Sequence, residues 1–129
     1  NFKCYLRTRD GTEQRYTFDT GSLSADTWTK ITKTIPGNSN ITINNDNGEG
    51  LQINIAAFWG TNFTDNSVTE DAWGAYSSST RMKDNSHRSL LYVRDIFLEF
   101  KETVGIGLVL VVMQQVVVKL GSMWFFLKQ

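Results

Sequence analysis

Short runs in which apolar and polar residues alternate, each closed by Gly, Asn, Asp or Ser, restrict the fold of this chain more than any other feature. The clearest run is Leu51-Gln52-Ile53-Asn54-Ile55-Ala56-Ala57-Phe58-Trp59. Its period of two puts Leu51, Ile53, Ile55 and Ala57 on one face of a strand and Gln52 and Asn54 on the other. Phe2 to Arg7 leads through Arg9-Asp10-Gly11-Thr12 to Gln14 to Phe18. Asp-Gly favours positive φ, so this stretch predicts a hairpin. Thr27 to Ile35 predicts a strand that stops at Pro36-Gly37, because proline cannot donate to a sheet ladder. Leu90 to Phe100 predicts another. No helical period persists over three turns within residues 1 to 100, so an all-β, antiparallel sandwich is expected.

The segments between these runs are polar. Residues 37–50 hold five asparagines with Asp46, Gly48 and Glu49, and read as loop, with Ile41 and Ile43 as candidates for a short strand. Gly60 to Arg88 is a long polar stretch whose large aromatics are Phe63, Trp73 and Tyr76. A segment of that length and composition in a compact domain has a functional or wrapping role. The character changes after Val104. Val104 to Met113 is nearly all apolar, Val116-Val117-Val118 is β-branched and Met123-Trp124-Phe125-Phe126-Leu127 is largely aromatic. Gln114, Gln115, Lys119, Gly121 and Ser122 interrupt the run, which disfavours a membrane-spanning helix. Two or three strands buried in the sandwich or against a sister subunit are expected instead.

Charge and cysteine content exclude several functions. The 129 residues suit one domain, residues 1–129, and thirteen basic side chains balance thirteen acidic ones. No positive excess draws the chain to nucleic acid or to an anionic membrane. One cysteine and one histidine cannot build an internal disulfide or a structural zinc site. Cys4 shares a strand face with Phe2 and Leu6, so an inert buried thiol is expected. His87 lies in the polar turn Asp84-Asn85-Ser86-His87-Arg88 with no nucleophile elbow near it, and reads as a solvated loop histidine. None of the carboxylates lies in a recognisable hydrolase motif, so no catalytic residue is assigned. The chain starts at Asn1 without an initiator Met or a leader, which reads as a fragment or processed piece.

Residues 25–71 carry a resemblance. Ala25-Asp26-Thr27-Trp28-Thr29-Lys30-Ile31-Thr32-Lys33-Thr34-Ile35-Pro36-Gly37 is followed by Asn45-Asp46-Asn47-Gly48, Gly50-Leu51, Phe58-Trp59 and Asn62-Phe63-Thr64. This series resembles modules of marine bacteriophage and cyanophage tail-fibre proteins, which themselves resemble carbohydrate-binding jelly rolls. Such modules close with a strand like Tyr92-Val93-Arg94-Asp95-Ile96 and a Gln-Leu-Glu-x-Gly stretch. Here Phe97 stands in place of the Gln and Lys101 in place of the Gly. The likeness covers residues 3–99, so residues 1–100 form the family-like module and 101–129 an atypical apolar set of C-terminal strands. Against the family pattern the start lacks a strand or two, and the tail is expected to fill the edge this leaves.

The resemblance implies a non-catalytic jelly-roll module of a virion tail fibre, or of an extracellular protein, in a homo-oligomer such as a trimer, with a host-surface polysaccharide as partner. A module appended to a secreted glycoside-active enzyme and a purely structural spacer are the alternatives. Sugar rings lay their C–H faces on aromatic side chains flanked by short polar residues, which selects Trp59, Trp73, Tyr76 and Asn62 as glycan-binding candidates. Trp59 ends a strand on its apolar face, so core cover competes with that role, and Trp28 at a strand start reads as a structural plug. Asp46, Asn47 and Glu49 have the oxygen-rich composition of a calcium loop, as carbohydrate-binding jelly rolls often have, against the alternative of a self-capped turn.

Overall fold

Gly11 has φ +61°, the left-handed conformation that reverses the chain between β1 (Lys3–Thr8) and β2 (Gln14–Asp19). The hairpin pairs Cys4 with Phe18 and Leu6 with Tyr16, and Thr8 Oγ1 closes it by accepting the Gln14 amide at 2.8 Å. The computed structural model describes residues 1–56, 59–83, 90–101, 105–115, 117–120 and 123–126. Its remaining strands are β3 (Thr29–Ile35), β4 (Leu51–Ala56), β5 (Ala72–Ala75), β6 (Leu90–Lys101), β7 (Gly105–Gln115), β8 (Val117–Leu120) and β9 (Met123–Phe126). The described helix content is one 3-10 turn at Thr61–Phe63. The chain is all-β, as the alternation predicts.

Every strand pair is antiparallel, and the strands form a four-stranded sheet β4-β1-β2-β5, a three-stranded sheet β3-β7-β6 and the β8-β9 hairpin. Within the first sheet β4 presents Ile53 and Ile55 beside Leu6 and Cys4, the face expected from its alternation. One core cluster joins Cys4, Leu6, Tyr16 and Phe18 of that sheet to Ile31 and Ile35 of β3 and to Leu108 of β7. The apolar tail therefore does more than cover an edge. Its strand β7 lies between β3 and β6 and pairs along the full length of β3, from Thr29 opposite Val112 to Ile35 opposite Ile106. The ladder between β6 and β7 shifts register between Val93 and Asp95, a bulge at Arg94.

Two expectations need correction. Ile41 and Ile43 form no strand; Thr42 makes a single bridge to Asp10, and Ile43 is exposed. Trp28 is no plug, because β3 buries the odd positions Ile31 and Ile35 and Trp28 has the parity of the exposed Lys30 and Thr32; it is 46% exposed. A strand that went unforeseen, β5, runs along β2 with Trp73 opposite Tyr16. The described part of the long polar segment, residues 59–83, holds β5 and covers Tyr5 on the outer face of the sheet, while Ala57, Phe58 and His87 lie outside the described residues.

Lys3 ties the sheet to that wrapping segment. Its Nζ lies 2.8 Å from Asp19 Oδ2 and 2.5 Å from Glu70 Oε1. Burial acts to lower the Lys3 pKa, but the two carboxylates outweigh it and leave the pKa raised. Burial likewise acts to raise Asp19, and the bonds from Lys3 and the Gly21 amide outweigh it, so its carboxyl titrates below the usual range.

Deleting residues 103–129 removes β7 and with it Leu108 and the ladders to β3 and β6. Fragment 1–102 should be insoluble or lack a cooperative urea transition; a soluble fragment with a sharp transition would contradict this role for β7. The pair at Asp19 gives a second expectation. A depressed carboxyl contributes stability above its unfolded value near ~3.9 and loses it as pH falls through the lower folded value. Wild type should exceed Asp19→Asn by about 1 kcal/mol at neutral pH, with the gap closing as pH falls below about 4. Denaturant curves across pH would refute the assignment if the gap stayed constant.

Candidate functional site

β1 buries three consecutive residues, Cys4, Tyr5 and Leu6, although consecutive strand residues point to opposite faces. Cys4 and Leu6 face the core cluster. Tyr5, 1% exposed, must therefore be covered on the outer face of the sheet. The cover comes from residues 59–83. Trp59 lies 6.1 Å from the Tyr5 ring at 59°, and Tyr76 lies 6.4 Å away, stacked at 30°. Phe63 meets Trp59 edge-on at 5.7 Å. Two arginines cap this row of rings. The Arg7 guanidinium sits 3.8 Å above Tyr76, and that of Arg81 sits 5.1 Å from Trp59 and 4.8 Å from Phe63.

The row is held from its ends. Glu13 takes Arg7 Nη2 at 2.7 Å and Arg9 Nη1 at 2.9 Å, fixing the first guanidinium over its ring. Arg81 donates its Nε to the Ser78 carbonyl at 3.0 Å and its backbone amide to the Phe63 carbonyl at 3.0 Å. The Asp65 amide bonds the Met82 carbonyl at 2.9 Å, and Val68 and Met82 are buried anchors in an otherwise polar segment. Burial raises the Tyr5 phenol above its ordinary pKa, and the Arg81 charge opposes the shift. Phe63 keeps 39% of its surface exposed, with exposed Asn62 beside it in the 3-10 turn. A partly exposed ring beside a guanidinium, next in sequence to an exposed amide, can pack against an apolar face and bond neighbouring hydroxyls.

Of the four expected glycan residues, Trp59 and Tyr76 belong to one outer-face group, and the exposed Asn62 adjoins its Phe63 in sequence. Trp73 does not. It shares the inner face with Tyr16, ring centroids 5.4 Å apart, and donates its indole N–H to the Pro36 carbonyl at 2.7 Å. This bond fastens β5 to the end of β3, and Trp73, partly buried, packs against the core cluster. Tyr5, Phe63, Arg7 and Arg81 were missed from the sequence. The available signal was Tyr5 itself, a large aromatic at outward parity between Lys3 and Arg7, which requires a cover.

The acidic loop supplies its own partners. Asp46 Oδ1 accepts the Gly48 amide at 2.7 Å, the self-capped turn, and Glu49 Oε2 lies 3.5 Å from Arg9 Nε. No group of three or more His, Cys, Asp or Glu side chains suited to a metal occurs among the described residues. Asn47 is exposed in the same turn. Cys4 is buried, and burial with the nearby Asp19 charge pushes its thiol up to about 12, which suppresses the thiolate at neutral pH. No helix among the described residues is long and apolar enough to cross a membrane. Comparison of the chain with protein-family models, with curated proteins and with solved structures found no match.

Trp59 carries a testable cost. Its Nε1 is buried without a hydrogen-bond partner among the described residues. An orphaned buried donor costs about 1–3 kcal/mol, comparable to the apolar area lost on going from Trp to Phe. Trp59→Phe should therefore leave unfolding stability within about 1 kcal/mol of wild type, whereas Trp59→Ala should lose about 2 kcal/mol or more. Equal losses in both variants, measured by urea titration, would show that Nε1 has a partner.

Proposed function

We propose that this chain is a non-catalytic carbohydrate-binding and structural module of the jelly-roll sandwich kind, resembling the modules of phage tail fibres. The observation that carries the reading is the Phe63 ring, 39% exposed beside the exposed Asn62, with Trp59 edge-on to it and the Arg81 guanidinium 4.8 Å from its centroid. A core cluster drawn from both larger sheets supports the sandwich. In a fibre the module would stand in a homo-oligomer, a trimer for instance, on a virion or outside the cell, and would present residues 59–63 to a host-surface polysaccharide. The inert setting of Cys4 supports a binding role over nucleophilic catalysis.

A glycan array with the purified protein should return hits that Phe63→Ala weakens about tenfold or more, with the melting temperature little changed because Phe63 is half open to water. Hits that Phe63→Ala leaves intact would move the site elsewhere. Silence across a broad panel would favour the structural spacer.

A further inference from the structure

A second feature lies on the outer face of the sheet, at its β2–β5 edge. Arg15 of β2 pairs with Gly74 of β5, and its guanidinium lies over the space that the glycine leaves. A Cβ on Gly74 would stand 3.4 Å from Arg15 Nη1. Arg15 Nε donates to the Thr80 carbonyl at 2.8 Å, which fixes the plane of the fork. Among the described residues Nη1 and Nη2 have no hydrogen-bond partner. They border a partly open cleft of about 270 Å³ lined also by Ser67, Thr69, Trp73 and Thr80, with buried Val68 behind.

A half-buried guanidinium with one of its five donors engaged among the described residues has further N–H groups to offer an anion. Burial lowers its pKa, and the Asp65 charge nearby opposes that shift without a bond to it. The Asp65 carboxylate is engaged with the Ser67 amide at 2.8 Å. The cleft therefore offers two parallel N–H donors to a planar oxyanion, and three hydroxyl side chains to a polyol. One cation beside one carboxylate suits a singly charged group and penalises a dianion such as phosphate. The volume falls just below the roughly 300 Å³ at which small-molecule sites begin, the scale of a single sugar ring.

We propose that the Arg15 cleft binds the carboxylate of an acidic sugar residue, a uronic acid. Arg15 Nη1 and Nη2 take the two carboxylate oxygens, and Ser67, Thr69 and Thr80 take ring hydroxyls. The sugar part rests on the carbohydrate-binding reading, while the carboxylate part rests on Arg15 alone.

Titration of the full chain with D-glucuronate, D-glucose and acetate, followed by amide chemical shifts and calorimetry, tests the assignment. Glucuronate should saturate and bind at least tenfold more tightly than acetate, and glucose should leave the amides of residues 67–80 unshifted. Arg15→Gln should weaken glucuronate at least tenfold. Gly74→Val tests the cleft from the neighbouring strand, since its Cβ would stand 3.4 Å from Arg15 Nη1 and its two methyls would crowd the guanidinium further; it should keep the wild-type spectrum elsewhere and lose binding. Glucuronate no tighter than acetate, or binding unchanged in either variant, overturns the proposal. Phe63→Ala separates the two sites: a protein that binds glucuronate through Arg15 but no glycan through Phe63 refutes the platform and keeps the cleft, and the reverse result refutes the cleft alone.

Discussion

Burial of β1 on both faces is the constraint that organises the rest of the molecule. A central strand with Cys4 and Leu6 on one side and Tyr5 on the other needs two covers. Apolar side chains of β3 and β7 supply the inner one. The outer cover is drawn from a polar segment, so it is built from rings, arginine planes and bonded backbone, with Val68 and Met82 as its aliphatic anchors. Arginine suits that task because its flat, weakly hydrated guanidinium can lie on a ring while its edges still bond carbonyls and carboxylates. Both arginine caps do this, Arg7 through Glu13 and Arg81 through the Ser78 carbonyl.

The alternation that governs single strands is written in local sequence, and for that reason the hairpin, β4 and the extent of β6 were legible. Gly11 was legible as well, since Asp-Gly specifies its own backbone. Sheet order was not. Nothing within residues 105–115 says that this strand will separate β3 from β6, because that depends on contacts between residues far apart in the chain. β5 escaped because Ala72-Trp73-Gly74-Ala75 is short and mostly small, and pairing with β2 is what makes it a strand. Trp28 misled because composition was read without the parity of β3.

The same limit applied to the sites. Aromatics among short polar residues marked Trp59, Asn62 and Tyr76, yet the identical signal marked Trp73, whose indole N–H is used internally. Sequence context cannot tell a ring that faces solvent from one that closes a core when both stand among Ser, Thr and Asp. Arg15 left no trace because its setting depends on a glycine across the ladder, and cross-strand neighbours are invisible before register is known.

The placement of β7 also sets an order of events during synthesis. The hairpin of β1 and β2 can close as soon as it leaves the ribosome, and β4 joins β1 soon after. β3 has no ladder until β7 is made, much later in the chain, so it waits as an unpaired edge. Its composition fits that wait. Lys30, Thr32 and Thr34 point away from the two buried isoleucines, and Pro36 ends the run, which hinders pairing with a second nascent chain. On this account the outward-facing Lys30, Thr32 and Thr34 keep β3 from pairing with another chain in the interval before its partner exists.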